Sequence, residues 1–258
     1  MEHRHFYKWK PEVADHRDYS FSLKMKASVV PTFVEPLAEN NQVENQGAVG
    51  SCTGNASTTA LEISLNSPIQ YSRLMAYYNG RWLEKNTKND DGAQIRDVIK
   101  GIQKFGVAEE TFWPYVPEKF AKKPSIAAYK DARKVLPLID RYERLTSLNE
   151  IKVALASNLA VVFGFAVPDY FSGPEMEKSE WSIRMPTPTD QMVGGHAVAC
   201  IGYETRPEKC SEPFMWVRNS WGKEWGINGN FKMPFTWFTS PLRLTDDMWV
   251  IHAKKRTE

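Results

Sequence analysis

Cysteine is scarce in this chain, with three in 258 residues, at positions 52, 200 and 210. So low and odd a count argues against a disulfide framework and for a reducing compartment. A pairing of Cys200 with Cys210 across a hairpin would run against both. Long apolar runs are missing too. None reaches the roughly 18 residues of a spanning helix. The N-terminal stretch MEHRHFYKWKPEVADHRDYS has no apolar h-region, so neither a membrane anchor nor a secretory signal is expected. Neither sign of charge dominates: 33 basic and 31 acidic residues leave a net charge of +2. Such a balance offers no extended field for nucleic acid or anionic lipid. Repeats and low-complexity tracts are absent, and no Cys/His spacing fits a zinc site. These absences leave the expectation of a cytoplasmic monomer without metal or cofactor.

What is present is an ordinary globular balance, 42% hydrophobic and 25% charged, in a chain long enough to bury a substantial core. Residues 1–30 are polar and read as an extension or strap, and the two prolines of VVPTFVEPLAENNQVENQ keep the next stretch extended. SCTGNASTTALEISL reads as a helix capped by Ser51. Its propensity is poor, so it needs burial on several sides. Ser67-Pro68 predicts the start of a second helix carrying Tyr71, Leu74, Met75, Tyr78 and Trp82. A third carries Ile95, Val98, Ile99, Ile102 and Phe105, and Gly106 stops it.

After residue 135 the pattern turns to strands. KVLPLID reads as an edge or bent strand because of its proline. A capping box, Ser147 with Glu150, opens a short helix. AVVFGFAV, HAVACIGYE, FMWVRNS, GNFKMP and DMWVIHA then read as strands, and residues 168–190 as a surface loop. The expected organisation is α+β: an extension at 1–30, a mainly helical lobe at 31–135, a mainly β lobe at 136–258, and a ligand cleft where the lobes meet.

Three stretches carry chemistry. NQGAVGSCTGN places Cys52 among glycines at the start of a helix, whose free N–H groups favour thiolate over thiol. GGHAVACIGYE places His196 after two glycines at what reads as a strand start, projecting toward a cleft. VRNSWGKEWGINGNF supplies Asn219, whose amide oxygen can fix the tautomer of an imidazole, and Trp221, which can shield that bond from water. The other histidines are less informative. His3, His5 and His16 lie in the polar N-terminal segment, where HRH reads as solvated tail, and His252 ends the last strand.

Taken together and in order, QGAVGSC, GGHAV and RNSWGKEWGINGNF resemble the papain family of cysteine peptidases. His196 falls within the family's spacing of about 130–150 residues after the cysteine, and Asn219 somewhat beyond it. The resemblance implies a two-lobe fold with a helical left lobe, a β-barrel-like right lobe and the active-site cleft between them. It also implies that Cys52 is the nucleophile, His196 its acid/base partner, Asn219 the orienting group, and Gln46 the side-chain donor of the oxyanion hole. Gly92 and Ala93 match the family's substrate-binding glycine pair, and Gly194, Gly195, Ala197 and Val162 are expected around the substrate. The implied activity is a peptide-bond hydrolase working through a thioester on peptide or protein substrates, and open to a protein inhibitor. Transpeptidation from the same acyl-enzyme, or an inactive binding relative, are the alternatives.

Two positions depart from the family signature. Val49 stands where it has cysteine and Thr53 where it has an aromatic. Both resemble the disulfide-poor bacterial, archaeal or viral branch. The residues preceding the match are fewer than the family's usual pro-domain, and whether PEVADHRDYSF blocks the cleft or braces the lobes is open at this stage.

Overall fold

A computed structural model describes residues 8–13, 15–22, 29–37, 42–134 and 136–254; His3 and His5 lie outside the described residues. After a two-residue strand β1 (Phe33–Val34) come four helices, α1 (Cys52–Leu65), α2 (Arg73–Leu83), α3 (Ile95–Phe105) and α4 (Ile126–Lys134). The second half runs β2 (Ile139–Leu145), α5 (Leu148–Ala156), β3 (Val161–Pro168), α6 (Pro174–Lys178), β4 (Met192–Glu204), β5 (Phe214–Arg218), β6 (Asn230–Pro234), α7 (Thr236–Thr239) and β7 (Thr245–Ala253). The fold is α+β. The strands form an antiparallel sheet in the order β2-β7-β3-β4-β5-β6, with β1 added to β4. Among the described residues β2 and β6 do not pair, so the sheet curves without closing into a barrel.

Alternation along the central strands explains how the sheet is covered. In β3, Val161, Phe163, Phe165 and Val167 belong to one apolar cluster and Val162 to another. In β4, Val198 and Cys200 join the first, while Ala197 and Ala199 join the second. Successive side chains of a strand leave opposite faces, so both faces must be buried. The face carrying Val162, Ala197 and Ala199 packs with the helical half through Leu61, Leu74, Met75 and Ile99. The opposite face closes over Phe163 and Phe165 with Leu155 of α5 and with Phe171 and Trp237.

Helix α1 lies where the two halves join, which accounts for its small residues. A Cβ on Gly54 would come within 2.7 Å of the Arg73 carbonyl and 2.9 Å of Tyr77 Cβ. Tertiary packing overrides its weak propensity. Ser51 occupies the N-cap position, but its hydroxyl makes no capping bond. It pairs instead with Tyr115 Oη at 2.6 Å.

Several expectations shift. The second helix starts at Arg73 rather than after Ser67, because the Ser72 hydroxyl accepts from Met75 N and caps it there; Ser67 turns back onto Ile69 N instead. The third helix and the Ser147–Glu150 capping box stand as read. The segment after β3 is not a plain surface loop. Phe171, Met176 and Ile183 are buried, and Phe171 packs edge-on to Trp221 at 5.3 Å between ring centres. Helix α4 has no counterpart in the sequence reading. His196 lies inside β4, four residues beyond its first residue Met192, rather than at a strand start.

Candidate active site

Cys52 is the first residue of α1 and is fully buried. The backbone N–H groups of Ala197, Lys8, Thr53 and Cys52 itself pull its thiol toward the thiolate. Ala197 follows His196 in β4, so β4 as well as the helix start acts on the thiol. Burial nevertheless pushes the thiol up to about 11, against the pull of those four amides. The thiolate expected at a helix start is therefore suppressed in this state, because desolvation outweighs the helix terminus.

His196 Nε2 lies 2.8 Å from Asn219 Oδ1. The same oxygen accepts the Ser220 N–H at 2.8 Å, which identifies it as oxygen rather than amide nitrogen. An amide oxygen only accepts, so Nε2 carries the hydrogen and Nδ1 holds the lone pair. Trp221 stacks on the imidazole at 5.2 Å between ring centres, and Phe165 meets it edge-on at 5.9 Å. The His196–Asn219 bond thus sits in a dry aromatic enclosure, where it is strengthened.

Gln46 is pinned on every side. Its Oε1 accepts from Ser220 Oγ at 2.6 Å, its Nε2 donates to Val49 O at 2.9 Å, and its carbonyl accepts from Tyr115 Oη at 2.8 Å. Val49 is buried in the helix-side core, and Thr53 is buried with no hydrogen-bond partner for its hydroxyl among the described residues. Cys200 and Cys210 are both free thiols. His252 is engaged by Glu143 at 2.8 Å, and His16 lies 4.0 Å from Asp15. Among the described residues no group of His, Cys, Asp and Glu could hold a metal ion. No helix among them is long and apolar enough to cross a membrane.

The N-terminal strap runs through the cleft. Trp9 N donates to Gly195 O at 2.8 Å and Lys10 N to Ala93 O at 3.4 Å. The Lys8 carbonyl lies 1.6 Å from where a Cβ on Gly92 would stand. Gly92 has φ +77, so this close approach and this conformation both require glycine. Of the residues expected around substrate, Gly92, Ala93 and Gly195 thus meet the strap, and the Ala197 N–H pulls the Cys52 thiol down. Val162 lies in the core cluster against which Trp9 packs. Gly194 sits next in β4, opposite Val167.

Beyond the cleft the strap is latched to both halves. The Glu12 carboxylate, whose side chain has no exposed surface, accepts from Arg96 N at 2.6 Å, Trp249 Nε1 at 3.1 Å and Arg144 Nη1 at 3.2 Å. Asp18 pairs with Arg96 at 2.8 Å. Asp247 accepts from Glu12 N at 2.9 Å, Trp9 Nε1 at 3.1 Å and Arg144 Nη2 at 2.8 Å. Trp9, Glu12, Gly164 and Asp247 carry only weak signals in the sequence: a tryptophan between lysines in the N-terminal segment, and paired acids opening the last apolar strand.

A buried thiol at the start of α1, and a bonded histidine–asparagine pair in the sheet half, are the residues a two-lobe cysteine peptidase requires. The family profile for papain family cysteine protease matches residues 35–236, and the chain belongs to that family. It is a papain-like cysteine peptidase, a hydrolase. An uncharacterised peptidase C1-like protein of Acanthamoeba polyphaga mimivirus is 35% identical over 253 residues, covering 89% of this chain and 78% of that protein. Mouse pro-cathepsin H is 28% identical over 199 residues, and the match spans 73% of this chain and 55% of that protein. Among solved structures, xylellain, a cysteine protease from Xylella fastidiosa, is similar with a TM-score of 0.83 and 34% identity, covering 98% of this chain and 96% of that one.

Proposed function

We propose that the protein is an endopeptidase that cleaves through a Cys52 thioester and that its strap holds it latent. The observation that carries this reading is the His196–Asn219 bond at 2.8 Å under Trp221. It leaves Nδ1 as the basic nitrogen of a ring whose next residue, Ala197, acts on the Cys52 thiol through its backbone N–H.

With the strap withdrawn, the thiol proton passes to His196 Nδ1 and the thiolate attacks the substrate carbonyl carbon. The second Nε2 hydrogen of Gln46 and the Cys52 N–H stabilise the oxyanion. Collapse of the tetrahedral adduct breaks the C–N bond, and the imidazolium gives its proton to the leaving amine. Water, deprotonated by Nδ1, then attacks the thioester; the acid product leaves and the sulfur recovers its proton. Latency follows from where the strap lies. Trp9 N bonds Gly195 O and Lys10 N bonds Ala93 O, so the strap holds the backbone groups an extended substrate would need.

The test is cleavage of a peptide library, read by mass spectrometry, by the full chain carrying Trp9→Ala to release the strap and by that chain with Cys52→Ser added. The serine variant should fold with an unchanged circular dichroism spectrum and lose nearly all cleavage. Undiminished cleavage by Cys52→Ser would refute the assignment.

A further inference from the structure

The helical half carries a recess of about 460 Å³ between α2, α3 and α4, which shares no residue with the catalytic site. We propose that it is a second binding site, which takes a tyrosine side chain presented by an acidic segment of a protein substrate. Its role as a substrate contact rests on the catalytic reading above; the binding itself does not.

Three observations support this. First, the recess gathers large apolar side chains that single surface residues do not explain. Trp82 is 49% exposed and Ile126 77%, and both line it. Phe105 meets Trp82 edge-on at 5.3 Å between ring centres. Isolated exposed apolar residues are ordinary, but a group of them around one concavity marks an interaction site. The volume lies in the range of ligand pockets and admits an aromatic ring.

Second, the recess holds an unused hydrogen-bond donor. Asn79 lines it and is 2% exposed. The Tyr129 hydroxyl donates to Asn79 Oδ1 at 2.7 Å, which leaves the amide nitrogen to find an acceptor elsewhere. Among the described residues Asn79 Nδ2 has none. A buried donor without an acceptor is unfavourable, so a ligand that supplies one gains over a ligand that does not. A tyrosine brings both a ring for Trp82 and a phenolic oxygen that accepts; phenylalanine brings only the ring.

Third, the rim is positive and lacks its own counter-charge. Lys123, Lys130 and Arg133 line the recess and are exposed, and no carboxylate lines it. Residues 119–134 hold six basic residues and one acid, Asp131. Asp131 is already taken by Lys134 at 3.0 Å and by Glu109 N at 3.1 Å. Acidic residues flanking the inserted tyrosine therefore meet cations that have no internal partner in this stretch. The end of α2 that carries Trp82 also borders the cleft, since its capping residue Glu84 accepts from Lys10 Nζ of the strap at 3.4 Å. This points to a segment of the substrate itself as the occupant.

Binding is measured by calorimetry in the full chain carrying Cys52→Ala, with the strap in place so that the cleft stays occupied. Three peptides are compared: one tyrosine flanked by glutamates, the same with phenylalanine, and the same tyrosine flanked by lysines. The acidic tyrosine peptide should bind at least tenfold more tightly than the lysine peptide and at least threefold more tightly than the phenylalanine peptide. Lys130→Glu with Arg133→Glu should weaken it at least tenfold. Asn79→Ala should erase the tyrosine–phenylalanine difference; should that variant not fold, the comparison of the two peptides on the parent surface decides the point. Equal binding of all three peptides, or none, overturns the proposal.

The substrate role is tested in the full chain carrying Trp9→Ala, with a short peptide substrate and the same peptide extended by the acidic tyrosine segment. The extension should lower KM at least fivefold at unchanged kcat. Lys130→Glu with Arg133→Glu should remove that gain and leave the short peptide unaffected. Binding without any gain in KM overturns the substrate role. Binding with no cleavage of either peptide overturns the catalytic reading and upholds the site.

Discussion

At the scale of single residues, the site is a set of polar groups each fixed by a second one. Asn219 Oδ1 is shared between the imidazole and the Ser220 amide. Ser220 in turn donates its hydroxyl hydrogen to Gln46 Oε1. Gln46 and His196 are therefore both positioned from the one turn after β5 that carries Asn219 and Ser220. Gln46→Ala should lower kcat by about 10²–10³ with little change in KM, because its amide acts on charge that develops only in the transition state. Steady-state kinetics on the strap-released full chain check this, and a rise in KM at constant kcat would assign Gln46 to ground-state binding instead. These residues were legible in the sequence because each sits in a short stretch with glycines and a fixed order. Asp247 was not, since its role depends on a tryptophan more than two hundred residues away in the chain.

At the scale of elements, the proposed latency rests on the strap and α1. The strap pairs with β2, Phe21 N donating to Arg144 O at 3.0 Å and Arg144 N to Tyr19 O at 2.7 Å. Its Glu12 carboxylate is pushed up to about 7, mainly by burial and further by Asp247, against Arg96 and Arg144. Docked, Glu12 holds its proton more firmly than in the free strap, whose pKa is the ordinary 4.5. The docked state thus binds more protons. Its advantage from Glu12 is full below the free value and is lost as pH rises through about 7. The groups facing Glu12 are Arg96 on α3, Arg144 on β2, Asp247 on β7 and Trp249. Latency should therefore weaken from mildly acid to mildly alkaline pH, the reverse of acid activation, and Glu12→Gln should flatten that dependence. Peptide cleavage by parent and variant across this range checks it. Activity rising on acidification of the parent in a Glu12-dependent manner would reverse the sign.

The elements themselves were unevenly legible. Helix α3 and the capping box of α5 obey local rules, and the sequence predicts both. The start of α2 does not, because two serines compete for it and only Ser72 finds Met75 N. The stretch after β3 looked like loop because prolines and charges dominate it. Phe171 folds inward against Trp221, a contact no local pattern reveals.

At the scale of the whole molecule, two cores share one sheet, and the thiol sits where the helix-side core meets the cleft. The two-lobe plan was legible from the change of period near residue 135. Which residues of 1–30 enter the cleft was not, since a polar strap has no periodicity and its place is set by bonds to both halves. The most direct test of the latent thiol is the pH dependence of Cys52 alkylation, followed by peptide mass spectrometry, in the full parent chain and in the full Trp9→Ala chain. The parent should react slowly until pH approaches the suppressed value near 11. The variant should react fast and keep its reactivity below the ordinary thiol range, as an imidazole-paired thiolate does. Two profiles that both follow an ordinary thiol near about 8.5, or a Cys52 that stays unreactive in both proteins, would contradict the account.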